Sequence, residues 1–197
     1  MKPIGVFYAT REGQTRRIAE HVAETLRGEG LSAQAQNVVN HQEFSPEDYA
    51  GAVLAASVHS GRHEAEMIAF ARNHRPDLEQ IPTAFLSVTL SQAGAQRTNT
   101  TPRQQAEFAA SVQKMIDDFL AQTGWQPDRV KPLAGALLYR KYNFLLRFIM
   151  KQIAKKAGGD TDTSRDYEYT DWAGLDRFIK DFAAAIPEEA PIGYHRS

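Results

Sequence analysis

The feature that most constrains this chain is a repeated alternation of short apolar runs with longer segments of helical period. IGVFY (Ile4–Tyr8), inside an expected strand over Met1–Tyr8, opens the series, and GAVLAA (Gly51–Ala56), TAFLSV (Thr83–Val88) and KPLAGALL (Lys131–Leu138) continue it. Short bounded runs of this kind are expected where a strand is covered on both faces. Ser32–Val38 reads as a fifth, weaker strand whose alternation is mostly Ala and Gln. Between the runs, Ile18, Val22 and Leu26 recur at four-residue spacing until Gly28 and Gly30 end the pattern. Glu64–Asn73 and Pro102–Ala121 read as further helices, the second capped by Thr101 with Pro102 at its first position. A last helix is expected from about Asp171 to Ala185, with Leu175, Phe178, Ile179 and Phe182 on one side. Five strands with crossover helices predict an α/β fold around a parallel sheet with right-handed connections. Ligands of such sheets sit at the carboxyl ends of the strands, which gathers the segments Thr10–Thr15, Ser57–Arg62 and Ser87–Ser91.

With 197 residues, 42% of them apolar, the chain fills one core and is short for two. A single domain over 1–186 is expected, followed by a polar, proline-containing tail at 187–197 that frays. There is no cysteine, which excludes disulfides and thiol redox chemistry, so any electron chemistry must come from a bound cofactor. No apolar run approaches the roughly 18 residues of a membrane span, and the first residues lack a signal-peptide pattern. A soluble or peripheral cytoplasmic protein is expected. The net charge of −1 gives no reason to expect nucleic-acid binding. His21, His41, His74 and His195 have no ligand spacing, so no metal is expected.

The turn TREGQT (Thr10–Thr15) leads from the first strand into a helix, where open N–H groups and the helix dipole favour an anion. Thr10 and Thr15 add hydroxyls, and Gly13 permits positive φ. The turn has one cation and no lysine, and matches neither the Walker A nor the dinucleotide glycine pattern. A phosphate monoester held by neutral donors fits it; so does a plain turn in which Thr15 caps the helix.

TREGQT after a first strand resembles the T/S-x-x-G-x-T phosphate loop of flavodoxins. The resemblance then narrows. AASVHSGRH (Ala55–His63), AFLSVTL (Ala84–Leu90), WQPDR (Trp125–Arg129), AGAL (Ala134–Leu137), GGDTDT (Gly158–Thr163) and YTDW (Tyr169–Trp172) are similar to the menaquinone-dependent protoporphyrinogen dehydrogenases of haem biosynthesis. The likeness runs from Lys2 to about Ala185. It implies a flavodoxin-like five-stranded sheet of order 2-1-3-4-5, FMN as cofactor, and oxidation of protoporphyrinogen IX with electrons passed to a membrane quinone. It would put the FMN phosphate on Thr10, Arg11, Glu12, Gly13, Gln14 and Thr15. The isoalloxazine would lie between Ser57, Val58, His59, Ser60 and Gly61 on one side and Ser87, Val88, Thr89 and Leu90 on the other. His59 would stack near the ring or offer a proton; its plainer reading is a solvent-exposed loop histidine. His63 reads as the start of the next helix, and Trp125 and Trp172 as packing residues. No catalytic acid or base stands out. Another flavodoxin-type quinone reductase, an electron carrier, or a flavodoxin-like domain without catalysis are the alternatives.

The segment 139–165 departs from an ordinary flavodoxin. Tyr139–Lys156 holds six cations and no acid, leaving −7 on the rest of a chain whose total is −1. Read as a helix from Tyr142, it sets Asn143, Arg147, Lys151 and Lys155 on a narrow polar stripe, with Phe144, Leu145, Leu146, Phe148, Ile149, Met150 and Ile153 around the rest. Such a helix lies at an anionic membrane surface, closes over an apolar substrate bearing carboxylates, or covers the core with its lysines solvated. The resemblance favours the first two, with Arg140, Lys141, Arg147 and Lys151 serving substrate or membrane. Gly158 and Gly159 read as the stop of this helix, and Asp160–Ser164 as a polar loop that is able to touch cofactor or substrate. A homo-oligomer is left open.

Overall fold

The computed structural model describes residues 1–98, 100–156 and 159–187. The expected helix stop at Gly158 and the tail at 188–197 lie outside the described residues. Five parallel strands, β1 (Ile4–Ala9), β2 (Ala33–Asn37), β3 (Gly51–His59), β4 (Thr83–Thr89) and β5 (Arg129–Ala134), form one sheet of order β2-β1-β3-β4-β5. Ile4 pairs with Ala33 on one side and Gly51 on the other. The chain therefore leaves β1 in one direction and later returns to its opposite edge, and the crevice between β1 and β3 opens at their carboxyl ends.

Among the described residues, the sheet and its edge are covered by α1 (Gln14–Gly28), α2 (Ala65–Asn73), α3 (Leu90–Gln96), α4 (Pro102–Thr123), α5 (Phe144–Lys156) and α6 (Trp172–Ala183), with a single helical turn at Arg75–Leu78 after α2. Alternation along each strand divides the core in two. Val6, Val53 and Leu86 face Ile18, Val22 and Leu26 of α1 and Leu175, Ile179 and Phe182 of α6. Phe7, Leu54 and Phe85 face Met67 and Phe70 of α2 and Phe119 of α4, with Trp125 beside them. Each of these large side chains contributes roughly 1.5–3 kcal/mol by leaving water. Trp125 is fully buried against Phe85 and Phe119, whereas Trp172 is half-buried beneath Arg17.

Thr101 caps α4 as its sequence predicts, its hydroxyl accepting from the Gln104 amide while the Gln104 side chain accepts from the Thr101 amide. Two elements differ from the sequence reading. Helix α3 begins directly at Leu90, where a loop was expected. Thr89 caps it, and Gly94 lets it approach α4 so closely that an added Cβ would lie 2.7 Å from the Phe108 ring. The expected strand Lys131–Leu138 is broken at Gly135. The Gly135 amide donates to Thr89 O, its carbonyl accepts from the Tyr169 amide, and Ala136–Leu137 leaves the sheet to pair antiparallel with Tyr167–Glu168. This two-residue ribbon closes the base of the basic segment. Beyond it lie a tight turn at Tyr139–Lys141, α5, and a return loop in which the Tyr139 hydroxyl donates to Asp160 O and the Tyr169 hydroxyl to Asp160 Oδ2.

His63 does not begin a helix. Gly61 and Ser60 turn the chain back, and Arg62–His63 pairs antiparallel with the end of β3. The imidazole is buried between Phe85 and Phe119, with Nε2 2.9 Å from Ser87 Oγ, and burial pushes its pKa down from 6.5 to about 4. Between those values the unfolded chain binds a proton that the folded one refuses, so His63 favours folding above pH 6.5 and loses that contribution as pH falls towards 4. The loss amounts to on the order of 3 kcal/mol. Urea unfolding of the parent and of His63→Gln at pH 7, 5.5 and 4.5 is expected to show the parent falling more steeply; parallel pH dependences would exclude this origin.

Candidate active site

The N-terminus of α1 is the first wall. Gly13, at φ 96°, is its cap residue, and its amide donates to Thr10 Oγ1 at 3.0 Å, which closes the turn. The first helical bond runs from the Arg17 amide to Gly13 O, so the amides of Gln14, Thr15 and Arg16 have no carbonyl of the helix to bond. Thr15 does not cap: no side chain caps α1, and the Thr15 hydroxyl is buried without a hydrogen-bond partner. Leaving such a group unpaired costs about 1–3 kcal/mol, an arrangement that a ligand oxygen would relieve. Gln14 is held from the other side, its amide donating to Glu168 Oε1 and Thr170 Oγ1. Arg11 turns towards Glu64, with Nε 3.0 Å from Oε2. A lysine does reach the turn, from 129 residues along the chain: Lys141 Nζ donates to Glu12 O at 2.7 Å.

The second wall is the end of β3 and its hairpin. Ser60 and Gly61 have φ of 51° and 77°, the two positive values that a tight two-residue hairpin requires. Glu64, 4% exposed, anchors this wall. Its carboxylate lies 3.1 Å from Ser57 Oγ, 3.0 Å from Arg11 Nε and 3.1 Å from His59 Nε2. His59 Nε2 is also 3.1 Å from Glu12 Oε2. The ring is thus enclosed by two carboxylates, not exposed on a loop. Burial raises the Glu12 carboxyl, but the approach of His59 and the Arg11 charge outweigh it and hold its pKa below the usual range. Glu64 escapes a reading of the sequence because an acid at the start of a helix is ordinary.

Val88, Thr89 and Leu90 form the third wall, followed by Gly135 and Ala136. Ser87 is excluded: it lies in β4, fully buried, and bonds to His63 on the far face of the sheet. Over the top come Tyr142 and, from α5, Leu146, Ile149 and Met150, while Ser111 and Met115 of α4 complete the lining. Burial, then the neighbouring Glu12 charge, push the Tyr142 phenol up to about 12, so it stays protonated. The cavity holds about 370 Å³, within the size range of cofactor pockets, and its lining is mixed, with polar residues such as Thr10, Thr15, Ser57, His59 and Thr89 at the turn and hairpin and apolar ones such as Leu146 and Ile149 across the top.

Thr10, Glu12, Gln14, Thr15, Ser57, Val58, His59, Ser60, Gly61, Val88, Thr89 and Leu90 are brought together around this cavity. The basic residues of the segment are not on its lining. The Arg140 amide donates to Asp166, Arg147 donates from Nε and a terminal nitrogen to the carbonyls of Tyr139 and Tyr142, and Lys151 is exposed. The segment thus lines the cavity with its apolar residues, while Lys141 reaches the turn behind the first wall.

The flavodoxin domain family matches residues 5–164. The protoporphyrinogen IX dehydrogenase [quinone] of Escherichia coli K12 is 34% identical over 178 residues, covering 90% of this chain and 93% of that protein. The protein of the same name from Leishmania major is 33% identical over 203 residues, covering 98% of this chain and 84% of its own length. A short-chain flavodoxin associated with a non-canonical PDU bacterial microcompartment superimposes with a TM-score of 0.52 at 15% identity, over 95% of this chain and all of that one. Flavodoxin 1 of Bacillus cereus gives 0.51 at 13% identity, with 95% and 100% covered. The chain belongs to the flavodoxin-domain family and is a homologue of the quinone-dependent protoporphyrinogen IX dehydrogenases.

Proposed function

We propose that this protein is an FMN-dependent oxidoreductase that converts protoporphyrinogen IX to protoporphyrin IX and passes the electrons to a membrane quinone. The observation that carries the reading is the buried, unpartnered Thr15 hydroxyl at the open N-terminus of α1, beside a cavity at the carboxyl edge of the sheet. A phosphate monoester satisfies that hydroxyl and the amides of Gln14, Thr15 and Arg16 together, with Lys141 as its nearby cation. Thr10 would hold the turn, and the walls at Val58–Gly61 and Val88–Leu90 would flank the ring. Bound FMN would supply the two-electron chemistry that a chain without cysteine lacks. The names of the relatives support the substrate and the acceptor.

The exposed face of α5 fits a lipid-embedded acceptor. Phe144, Leu145, Phe148 and Ile149 are 86%, 66%, 56% and 44% exposed, and the exposed Lys151 and Lys155 follow them along the helix. An apolar face rimmed by cations suits an anionic membrane surface, drawn by charge and held by burial among acyl chains.

FMN binding is expected to depend on the phosphate contacts. Thr15→Val removes one bond to a charged group, about 1.5–3 kcal/mol, so the FMN Kd should rise about 10- to 150-fold, and Lys141→Gln, which removes a cation behind the turn, should raise it less. Riboflavin, which lacks the phosphate, should bind both variants as it binds the parent. Equal losses for the two flavins would place the phosphate elsewhere.

Anaerobic protein loaded with FMN should produce porphyrin fluorescence from protoporphyrinogen IX, for more than one turnover only when a quinone is added. Turnover with oxygen-free buffer alone would remove the quinone from the scheme, and no turnover in any condition would remove the substrate.

Membrane binding separates into two parts. Lys151→Gln with Lys155→Gln should weaken sedimentation with anionic vesicles at low salt, whereas Phe144→Ser with Phe148→Ser should weaken it at low and high salt alike. Neither pair should change FMN affinity. A parent that ignores anionic vesicles at low salt has no such surface role.

A further inference from the structure

His59 occupies an unusual position. Its ring lines the 370 Å³ cavity and also a second cleft of about 470 Å³, on the outer side of the hairpin, bordered by Arg11, Arg62 and Arg72. Nε2 sits between Glu12 of the α1 turn and Glu64 at the start of α2, 3.1 Å from each carboxylate, and Arg11 lies against Glu64. Arg62 pairs with His59 across the hairpin, and Tyr142 stands on the cavity wall with its proton retained. Both carboxylates approach Nε2 within 3.1 Å, yet that buried nitrogen has no hydrogen bond of its own, so the imidazole stands between two anions with Nε2 unpartnered.

We infer that His59 is the proton carrier of this cavity, taking the proton that substrate releases on oxidation and returning it to the quinone, with Glu12 and Glu64 as its positioning residues. The inference rests on the function proposed above. The three two-electron oxidations that turn a porphyrinogen into a porphyrin break four C–H and two N–H bonds in all, and each gives up one hydride equivalent and one proton. Bound FMN would supply the two-electron chemistry, and the proton released in each step needs a base. His59 takes it. Quinone reduction then forms two O–H bonds, one from the same hydride equivalent and one from the proton on His59, so atoms and electrons balance over the cycle. Of the groups around the cavity, Glu12 holds its charge and Tyr142 its proton, and an imidazole is the side chain suited to exchange a proton near neutral pH. The outer cleft gives the same ring a path to solvent.

The two half-reactions have opposite requirements, and this makes the inference testable. Under anaerobic conditions, bleaching of the flavin by protoporphyrinogen IX needs neutral His59 and should accelerate as pH rises through its titration. Recovery of the flavin colour on adding quinone needs protonated His59 and should slow over the same interval. The imidazole resonances of His59, followed by NMR in the FMN-loaded protein, locate that interval without reference to turnover. His59→Gln should slow both halves by about 100-fold or more and remove both pH limbs, measured on protein saturated with FMN. Added imidazole should restore part of the rate of His59→Ala, which shows that a slow variant is folded. Glu64→Gln should move the resonance titration and both limbs together to lower pH, because it removes an anion from beside the imidazolium. If His59→Gln keeps the rates and limbs of the parent, or if the limbs fail to track the His59 resonance, the inference is overturned while the proposed reaction stands. A parent that reacts with neither substrate nor quinone overturns both.

Discussion

A parallel sheet cannot spread its turns over two edges. Every βα connection leaves at the carboxyl end of a strand, and here the reversal of order at β1 parts two of those connections into a crevice. The open amides of α1 fall at that crevice because α1 must follow β1 without delay, and nothing in the helix itself can satisfy them. The rest of the site is an arrangement around this one electrostatic fact. Thr10 shapes the turn, Gln14 is tied to Glu168 and Thr170, and Thr170 in turn donates to Ala134 O at the end of β5. The α1 turn is thus braced against the far edge of the sheet through a chain of side-chain bonds.

The basic segment is the second element joined to that site. Its cations divide into two groups with different work. Arg147 holds backbone carbonyls of its own turn and Lys141 reaches the α1 loop, whereas Lys151 and Lys155 remain in solvent. Net charge along a sequence does not distinguish these roles, because distance in the chain says nothing about which cation folds back. The same is true of the apolar positions: Leu146, Ile149 and Met150 line the cavity, the first two while still partly exposed, whereas Phe144 and Phe148 are off its lining and more exposed, although all five look alike in a helical pattern.

The sheet was legible because strands buried on both faces leave long apolar runs, and α4 because Thr101, Pro102 and Gln104 form a local capping signal. The TREGQT turn was legible for the same local reason. Helix α3 was not, since LSQAGAQ has weak periodicity and is helical through its cap at Thr89 and the contact of Gly94 with Phe108, both invisible in its own composition. The break at Gly135 is not legible in the apolar run itself, because Ala136–Leu137 pairs with Tyr167–Glu168, far downstream in the chain. Glu64 and the enclosure of His59 depend on three segments meeting, and no spacing encodes that.

The two-residue ribbon Ala136–Leu137 with Tyr167–Glu168 gives the segment between its strands the status of a closed excursion. Its ends are pinned together where β5 has already finished, so its length does not enter the register of any sheet strand. The entropy of closing a flexible loop rises only slowly with length, by about 0.6 kcal/mol for each doubling. A chain built this way can exchange, lengthen or shorten the roof of its cavity while the α1 turn and the sheet stay as they are. The roof of the cavity is therefore the part of the molecule whose revision disturbs folding least.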